Sequence, residues 1–406
     1  MSFHARKINC EVIRVEYKLE ELFDLQMGKT PSRNNPDYWD AKGSKWISIA
    51  DLSKCGKYIT NTKEYISDIA IKESGMNPIP ANTVVMSFKL SIGKTAITKE
   101  AIYSNEAIMS FRDKKTIELL PDYTYYLILS KRWDEGTNKA VMGNTLNKAT
   151  LSKIKVFVHG IVEQQKIVNI LDKVVDLIDK RKEQLSKLDE LVKAQFVEMF
   201  GDPNSNEKGW TVSTLGEYMT LLTDFSANGS YELLDSNVVM YDEPNYAVMV
   251  RTTDLEAGNL TDGVKYIDQT AYELLSKSKL YGGELIMNKI GSAGKIYIMP
   301  QIDKPASLGR NAFMFRFDDR INMVYLYALL SSDYGIKEIQ QYVRGAVTKT
   351  ITKESTRSIR VIVPPIELQE QYATFVKQTD KSKLKVQKSL EKLELLKKAL
   401  MKKYFH

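Results

Sequence analysis

The chain has 406 residues, 43% of them hydrophobic, and a formal net charge of +7. That length and apolar content allow two or three domains with cores of their own. Its apolar stretches stay below membrane-spanning length and its first residues lack the apolar core of a signal peptide, so we expect a cytoplasmic protein. Two cysteines and three histidines predict neither a disulfide framework nor a metal site.

The positive charge is unevenly distributed along the chain. Residues 1–155 and 361–406 are net basic, whereas the segments between them are slightly acidic. This differs from the uniform basic excess of a tail that coats nucleic acid. Any site for a polyanion should therefore be a local surface.

The first part of the chain alternates short β-type runs, such as KWISI (45–49) and NTVVMSF (82–88), with turns. It also contains a helical piece, YTYYLILSKRW (123–133), whose aromatic spacing favours core packing over base stacking. The mixture predicts a strand-rich α+β domain.

A long helix is predicted next. Apolar residues recur there at alternating steps of four and three, which is a heptad seam. The seam consists of Ile167, Leu171, Val174, Ile178, Leu185, Leu188 and Val192. GDP (201–203) ends the helix, with a glycine past its last turn and a proline beyond.

The second half of the chain repeats the first. SKIKVFV (152–158) matches RSIRVIV (357–363) with 205 positions between equivalent residues, and SIGKTAI (91–97) matches SAGKIYI (292–298). The period is too long for a solenoid, so each copy should be a domain followed by a helix. The predicted segments are a first domain (1–157), a first helix (158–201), a linker (202–209), a second domain (210–362) and a second helix (363–406).

The second helix carries a similar but more diluted seam. It runs through Tyr372, Val376, Val386, Leu390, Leu393 and Leu400. The first helix is net acidic and the second net basic, which favours their pairing. If they pair antiparallel, both seams are buried. In the alternative, each helix merely covers its own domain.

These features together resemble the specificity subunits of type I restriction–modification enzymes, over essentially the whole chain. The resemblance rests on the two-fold repeat, on PPIELQEQ (364–371), on LEKLELLKKALMKKYF (390–405) and on GELIMNKIGSAGKIYI (283–298). The first copy departs from it, with HGIVEQQ (159–165) at its helix start. The resemblance implies an α+β fold, in which two repeated strand-rich target recognition domains are joined by two long antiparallel coiled-coil helices.

The resemblance also implies a function. Each recognition domain would read one half of a split sequence in double-stranded DNA, and the paired helices would fix the spacer between the halves. The subunit would be non-catalytic and would dock two modification subunits, which bind S-adenosylmethionine and methylate adenine. Two restriction subunits that use ATP and Mg²⁺ can join them, and this chain would hold no cofactor. The alternative is a duplicated coiled-coil scaffold that joins two protein partners and binds no nucleic acid.

Enzyme functions find little support in the sequence. An adenine methyltransferase would need an Asn/Asp-Pro-Pro-aromatic loop, but Pro364–Pro365 follows Val363 and precedes Ile366. This pair is better suited to fixing φ at a helix start. No catalytic residue is therefore predicted.

Two kinds of segment are candidates for contacts to DNA. The first are the glycine turns, in which small residues and a lysine suit phosphate binding; the alternative is a hairpin turn with a solvated lysine. The second are polar loops before the last strand of each domain, which suit base edges; the alternative is an ordinary loop. The turn candidates are Lys89, Ser91, Gly93, Lys94, Lys289, Ser292, Gly294 and Lys295. The loop candidates are Asn144, Asn147, Lys148, Arg344, Thr348 and Lys349.

Overall fold

The computed structural model describes residues 14–89, 91–131, 133 and 147–406. The chain divides into two compact units. Unit 1 consists of Met1–Lys182 and Lys388–His406, and unit 2 consists of Glu183–Gln387. Each unit thus combines one strand-rich domain with parts of both long helices.

Unit 1 holds the first strand-rich domain. Its strands are β1 (Arg14–Lys18), β2 (Phe23–Met27), β3 (Trp39–Ile47), β4 (Tyr58–Ile59), β5 (Glu64–Ile66), β6 (Val84–Ser87), β7 (Thr95–Thr98), β8 (Tyr103–Ser104), β9 (Ile108–Asp113) and β10 (Lys155–His159). Its short helices are α1 (Leu19–Leu22), α2 (Ile49–Lys54), α3 (Asp68–Glu73), α4 (Pro121–Ser130) and α5 (Lys148–Ser152). The long helix α6 (Ile161–Phe200) begins in unit 1 and ends in unit 2.

Unit 2 holds the second strand-rich domain. Its strands are β11 (Thr211–Thr214), β12 (Met219–Asp224), β13 (Ala247–Val250), β14 (Lys265–Ile267), β15 (Lys279–Leu280), β16 (Leu285–Asn288), β17 (Ile296–Ile298), β18 (Ala306–Leu308), β19 (Ala312–Phe317) and β20 (Arg360–Val363). Its short helices are α7 (Tyr231–Asn237), α8 (Thr252–Ala257), α9 (Gln269–Leu274), α10 (Met323–Ser331), α11 (Asp333–Gln340) and α12 (Lys353–Arg357). The second long helix, α13 (Ile366–Phe405), begins in unit 2 and ends in unit 1.

The two domains have corresponding sheets, and the larger and the smaller sheet each differ by one edge strand between the copies. The larger sheet has the order β2-β9-β6-β7-β4 in unit 1 and β12-β19-β16-β17 in unit 2. The smaller sheet has the order β5-β3-β8 in unit 1 and β14-β13-β18-β15 in unit 2, with a parallel pair in each. A third, two-stranded antiparallel sheet precedes each long helix, β1-β10 in one unit and β11-β20 in the other. The predicted α+β repeat is therefore confirmed.

The two long helices have equal length and run antiparallel. Each has 40 residues, which corresponds to about 60 Å of α-helix. An ion pair joins them in each unit, Lys182 with Glu394 at 4.0 Å in unit 1 and Lys383 with Asp189 at 2.6 Å in unit 2. Neither helix is apolar enough to cross a membrane, and the same holds for every other helix in the described ranges.

The seam positions face away from solvent. Those that are buried are Ile167, Leu171, Val174, Ile178, Tyr372, Val386 and Leu390. Those that are half-buried are Leu185, Leu188, Val192, Val376, Leu393 and Leu400. Thr379 and Lys383, which interrupt the apolar pattern of the second helix, also lie on this inner face.

The C-terminal ends of both helices complete a hydrophobic core. In unit 1, Phe405 at the end of α13 packs against Tyr123 of α4, with 5.4 Å between ring centroids. In unit 2, Phe200 at the end of α6 packs against Tyr325 of α10, with ring centroids 4.7 Å apart. Each helix therefore does more than cover the domain that precedes it in sequence.

A buried glutamine fixes the start of each long helix. The side chain of Gln369 accepts a hydrogen bond from the backbone N–H of Asn322 at 2.8 Å and donates one to the carbonyl of Pro364 at 2.8 Å. Gln164, its equivalent in α6, accepts from the N–H of Leu120 at 3.0 Å. This shared role explains why a Glu-Gln-rich segment follows the last strand of both copies.

Replacing Gln369 by alanine should destabilise the protein by about 1–3 kcal/mol, because the half-buried N–H of Asn322 would lose its hydrogen-bond partner. Gln371→Ala is the matched control, since that side chain is exposed on the same helix turn. The midpoint of urea unfolding would measure both. Equal midpoints for the two variants would contradict the role given to Gln369.

Candidate nucleic-acid interface

The two predicted glycine turns are hairpins of the same shape. They join β6 to β7 and β16 to β17, and Gly93 and Gly294 have φ values of 90° and 87°. The N–H of Gly93 donates to the carbonyl of Ser87, and that of Gly294 to the carbonyl of Asn288, each at 2.9 Å. Residues other than glycine rarely adopt this φ. At Gly294 a Cβ would also lie 2.5 Å from Ile339 Cγ2.

The N–H groups of these two positive-φ glycines are occupied within the hairpin. The N–H groups of Gly93 and Gly294 already donate inside the turn, which makes them poorer donors for a phosphate. The lysine side chains remain as candidates. Lys94 is exposed, and Lys295 is exposed beside Glu256, with which it forms an ion pair. The hairpin geometry therefore favours contacts through side chains over contacts through backbone.

The serines of both turns and the first lysine of the unit 1 turn lie at the surface. Ser91 and Ser292 are exposed, and Ser91 adopts a φ of 40°. Lys89 is half-buried, with its ammonium 5.6 Å from the centre of the Phe88 ring. These side chains stand where a hairpin meets solvent, which is a position that a phosphate can reach.

In unit 2 the two predicted segments come together. The N–H of Gly291 donates to the carbonyl of Lys349 at 2.9 Å, and the N–H of Ile351 donates to the carbonyl of Lys289 at 3.1 Å. Arg344, Thr348 and Lys349 are exposed on a loop that is closed by backbone pairing of Arg344 with Thr350. A basic, hydroxyl-bearing loop therefore projects beside the glycine turn.

The corresponding polar segment in unit 1 offers fewer side chains for contact with DNA. Asn144 lies outside the described residues. The side chain of Asn147 caps α5 by accepting from the N–H of Thr150 at 2.9 Å, so its oxygen has a structural role. Lys148 is exposed in the first turn of that helix.

Lys289 takes part in a buried ion cluster. Asp224, at the end of β12, accepts from Lys289 and from Lys353, both at 2.8 Å. Burial of the carboxylate opposes ionisation, but hydrogen bonds from both lysines and their charges outweigh it and lower the pKa of Asp224. The ion pair of Lys289 with Asp224 links the turn to β12, and the Lys289 side chain is only 14% exposed. The side chain of Lys353 is 35% exposed and therefore more accessible.

A further loop lies beside the glycine turn in both units. The N–H of Phe88 donates to the carbonyl of Ala107 at 3.0 Å, and the N–H of Lys289 donates to the carbonyl of Asn311 at 2.9 Å. Residues 105–107 and 309–311 therefore occupy equivalent places, between the parallel strand and the central strand of each domain. We call this side of each domain the loop edge. It comprises 88–89, 91–94 and 105–107 in unit 1, and 289–295, 309–311 and 344–351 in unit 2.

The loops 105–107 and 309–311 were not among the candidates from sequence. A signal for them does exist, because FRD (111–113) and FRF (315–317) match at an offset of 204 residues. That match aligns the two loops, but neither carries a glycine turn or a cluster of lysines. Their position became evident only from the strand pairing.

The loop edge offers the side-chain types that bind duplex DNA. Exposed ammonium groups can neutralise phosphates. Guanidinium, hydroxyl and carboxylate groups can bond to base edges in the major groove. In unit 2, Arg344 and Lys349 on the loop edge and Lys353 just after it bring positive charge to one side of a domain that is net acidic. These side chains make the loop edge a candidate surface for contact with DNA.

Comparison with known sequences agrees with this architecture. The family described as "Type I restriction modification DNA specificity domain" matches twice, over residues 14–189 and 207–395. Each match contains one strand-rich domain and most of a long helix. The two matches together span most of the chain.

Curated relatives are similar over nearly the whole length or over about half of it. The specificity subunit of the type I restriction enzyme MjaIX from Methanocaldococcus jannaschii is 24% identical over 409 aligned residues, which cover 95% of this chain and 91% of that one. The specificity subunit of EcoR124I/EcoR124II from Escherichia coli is 29% identical over 190 residues, 45% of this chain and 46% of that one.

Solved structures share the fold. The S subunit of a type I restriction–modification system from M. genitalium superposes with a TM-score of 0.55 at 15% identity, covering 98% of both chains. A chain from another type I restriction–modification system gives 0.59 at 14% identity, covering 96% of this chain and 97% of that one.

A duplicated strand-rich domain, followed in each copy by a 40-residue helix and carrying a polar, partly basic loop edge, defines a DNA-recognition protein. The chain belongs to the family of type I restriction–modification DNA specificity subunits. In this family the specificity subunit recognises DNA, assembles with the other subunits of the system and is itself non-catalytic.

Proposed function

We propose that each domain reads one half of a bipartite DNA sequence and that α6 and α13 set the number of base pairs between the halves. One observation carries this proposal. The loop edges of the two domains have the same backbone hydrogen bonds but different side chains, as expected when one scaffold reads two sequences. Rigidly spaced readers recognise half-sites with a fixed gap.

The same proposal includes the partners, with the complex acting in the cytoplasm. Two modification subunits would dock on this chain, bind S-adenosylmethionine and methylate adenine. Two restriction subunits that use ATP and Mg²⁺ would complete the nuclease. Exposed apolar side chains on the long helices, away from the seam, support docking of protein partners there. They include Ile170, Leu177, Leu191, Leu395 and Leu396.

Exchanging residues 210–360 for the corresponding domain of another specificity subunit tests the division of labour. One half-site should change, while the other half-site and the spacer stay the same. Mapping methylated adenines by single-molecule sequencing, in cells that also express the modification subunit, would show this. Loss or alteration of both half-sites would contradict independent reading by the two domains.

A scaffold without DNA binding makes a different prediction. In a gel-shift titration, the chain in complex with its modification subunit would then show no difference in shift between one duplex and another. Sequence-specific recognition requires that one duplex be retained at concentrations where others run free, and that retention weaken with salt. The titration therefore separates the two functions before any half-site is known.

A further inference from the structure

The loops at equivalent places on the two loop edges carry opposite charges. The N–H of Asn105 donates to the carbonyl of Ile47 at 3.2 Å, and the N–H of Gly309 donates to the carbonyl of Val250 at 2.8 Å. The residue that follows is Glu106 in unit 1 and Arg310 in unit 2. One backbone position thus presents an acceptor-only side chain in one domain and a donor-only side chain in the other.

Arg310 is held loosely. One guanidinium nitrogen is 3.1 Å from the carboxylate of Asp235, whose side chain is 55% exposed, and a surface ion pair of this kind contributes little. The Nε atom is buried and has no hydrogen-bond partner within the described part of the chain. The guanidinium also lies 5.1 Å from the centre of the Phe225 ring. Two acceptors on a ligand would satisfy this side chain better than its present surroundings do.

Space for that rearrangement exists beside the arginine. A cavity of about 250 Å³ is lined by Arg310 and Asn311 of the loop, by Thr252 and Thr253 of α8, and by Phe225 and Met240. Its walls are largely apolar, with donors at the loop. Arg310 can therefore turn without displacing the core of the domain.

Glu106 is exposed and fixed as an anion. The hydroxyl of Thr30 donates a hydrogen bond to its carboxylate. That bond, together with the positive charges of Lys89 and Arg33, lowers the pKa of Glu106 despite some desolvation. An ionised carboxylate can accept hydrogen bonds but cannot donate them, so its partner must be a donor.

We infer that Glu106 and Arg310 are base-reading residues of the two domains, with Glu106 accepting from the amino group of a cytosine and Arg310 donating to O6 and N7 of a guanine. The inference rests on the proposed DNA recognition by the loop edges. In the major groove, carboxylates accept from cytosine N4 and arginine bonds guanine through two donors. Each half-site therefore contains a G·C pair, read from the cytosine in one half and from the guanine in the other.

The test compares Arg310→Ala, Arg310→Lys and Glu106→Gln in the full chain with its modification subunit. Binding to a pool of randomised duplexes and methylated-adenine mapping would give the preference at every base pair. Each Arg310 variant should reduce discrimination at one G·C pair of one half-site by about 10- to 100-fold. Arg310→Lys should do so while retaining affinity, because lysine keeps the charge but not the two-donor geometry. Glu106→Gln should act only on the other half-site.

Matched controls lie at the opposite ends of the same strands. Arg310 precedes β19, and Arg320 follows it with a similar environment, paired with Asp318 at 2.7 Å and 4.8 Å from the Tyr218 ring. Glu106 precedes β9, and Asp113 ends it. Arg320→Ala and Asp113→Asn should leave both half-sites and the spacer unchanged.

Several results would overturn the inference. A wild-type half-site that lacks a G·C pair would do so, as would variants that bind all duplexes more weakly with unchanged preferences, which would mark phosphate contacts. Unchanged discrimination in the variants would have the same consequence. Wild-type protein with no sequence preference would instead refute the proposed function, so the two failures can be told apart.

Discussion

Lengthening both long helices by one heptad should lengthen the spacer in the recognised DNA and leave both half-sites unchanged. The insertions belong between Ser186 and Lys187 in α6 and between Gln387 and Lys388 in α13. These points lie between the two interhelical ion pairs, so the added heptads can pair with each other. A heptad preserves the seam because apolar positions repeat every seven residues.

The size of the effect follows from helix and duplex geometry. Seven residues add about 10 Å of helix, which corresponds to at most about three base pairs of B-DNA. Methylated-adenine mapping would report the new spacer directly. The control is the same insertion in α6 alone, which leaves one heptad without a partner and should reduce stability and methylation together. A changed half-site at constant spacer would contradict the role of the helices in spacing.

The repeat and the seams could be predicted because both can be recognised from the order of residues alone, without knowledge of contacts between distant segments. A heptad spacing needs only the identities of residues such as Leu171 and Leu390, and a copy is recognised by its offset. The glycine turns were found for the same reason, since a strand followed by SIGK or SAGK is a short-range pattern. Their hairpin shape then agreed in both copies.

Other features depended on contacts between distant segments. The buried amide of Gln369 bonds to Asn322, 47 residues away, and nothing in the motif PPIELQEQ distinguishes it from Gln371. Lys289 is predicted to contact phosphate from its place in the glycine turn, whereas its ion pair with Asp224, 65 residues earlier, depends on the fold. Arg310 and Glu106 were missed because their importance lies in a shared backbone position, which becomes evident only when the strands are paired.

Truncating Phe405 to alanine should destabilise unit 1, and truncating Phe200 should destabilise unit 2, each by about 3–5 kcal/mol. Both rings are almost fully buried, and each completes a core with the tyrosine of α4 or α10. Removing a ring leaves a cavity that its neighbours fill only in part. Phe200 lies in the helix that follows the first domain, but its truncation should destabilise the second domain, because its ring packs in the core of unit 2.

Hydrogen exchange would locate the effect of each truncation. Phe405→Ala should speed exchange in α4 (Pro121–Ser130) while α10 (Met323–Ser331) stays protected, and Phe200→Ala should do the reverse. Leu395→Ala is the control, since that side chain is 67% exposed on α13 and its loss should leave both helices protected. Faster exchange of α4 in the Phe200 variant, with α10 unchanged, would mean that α6 stabilises only the domain before it.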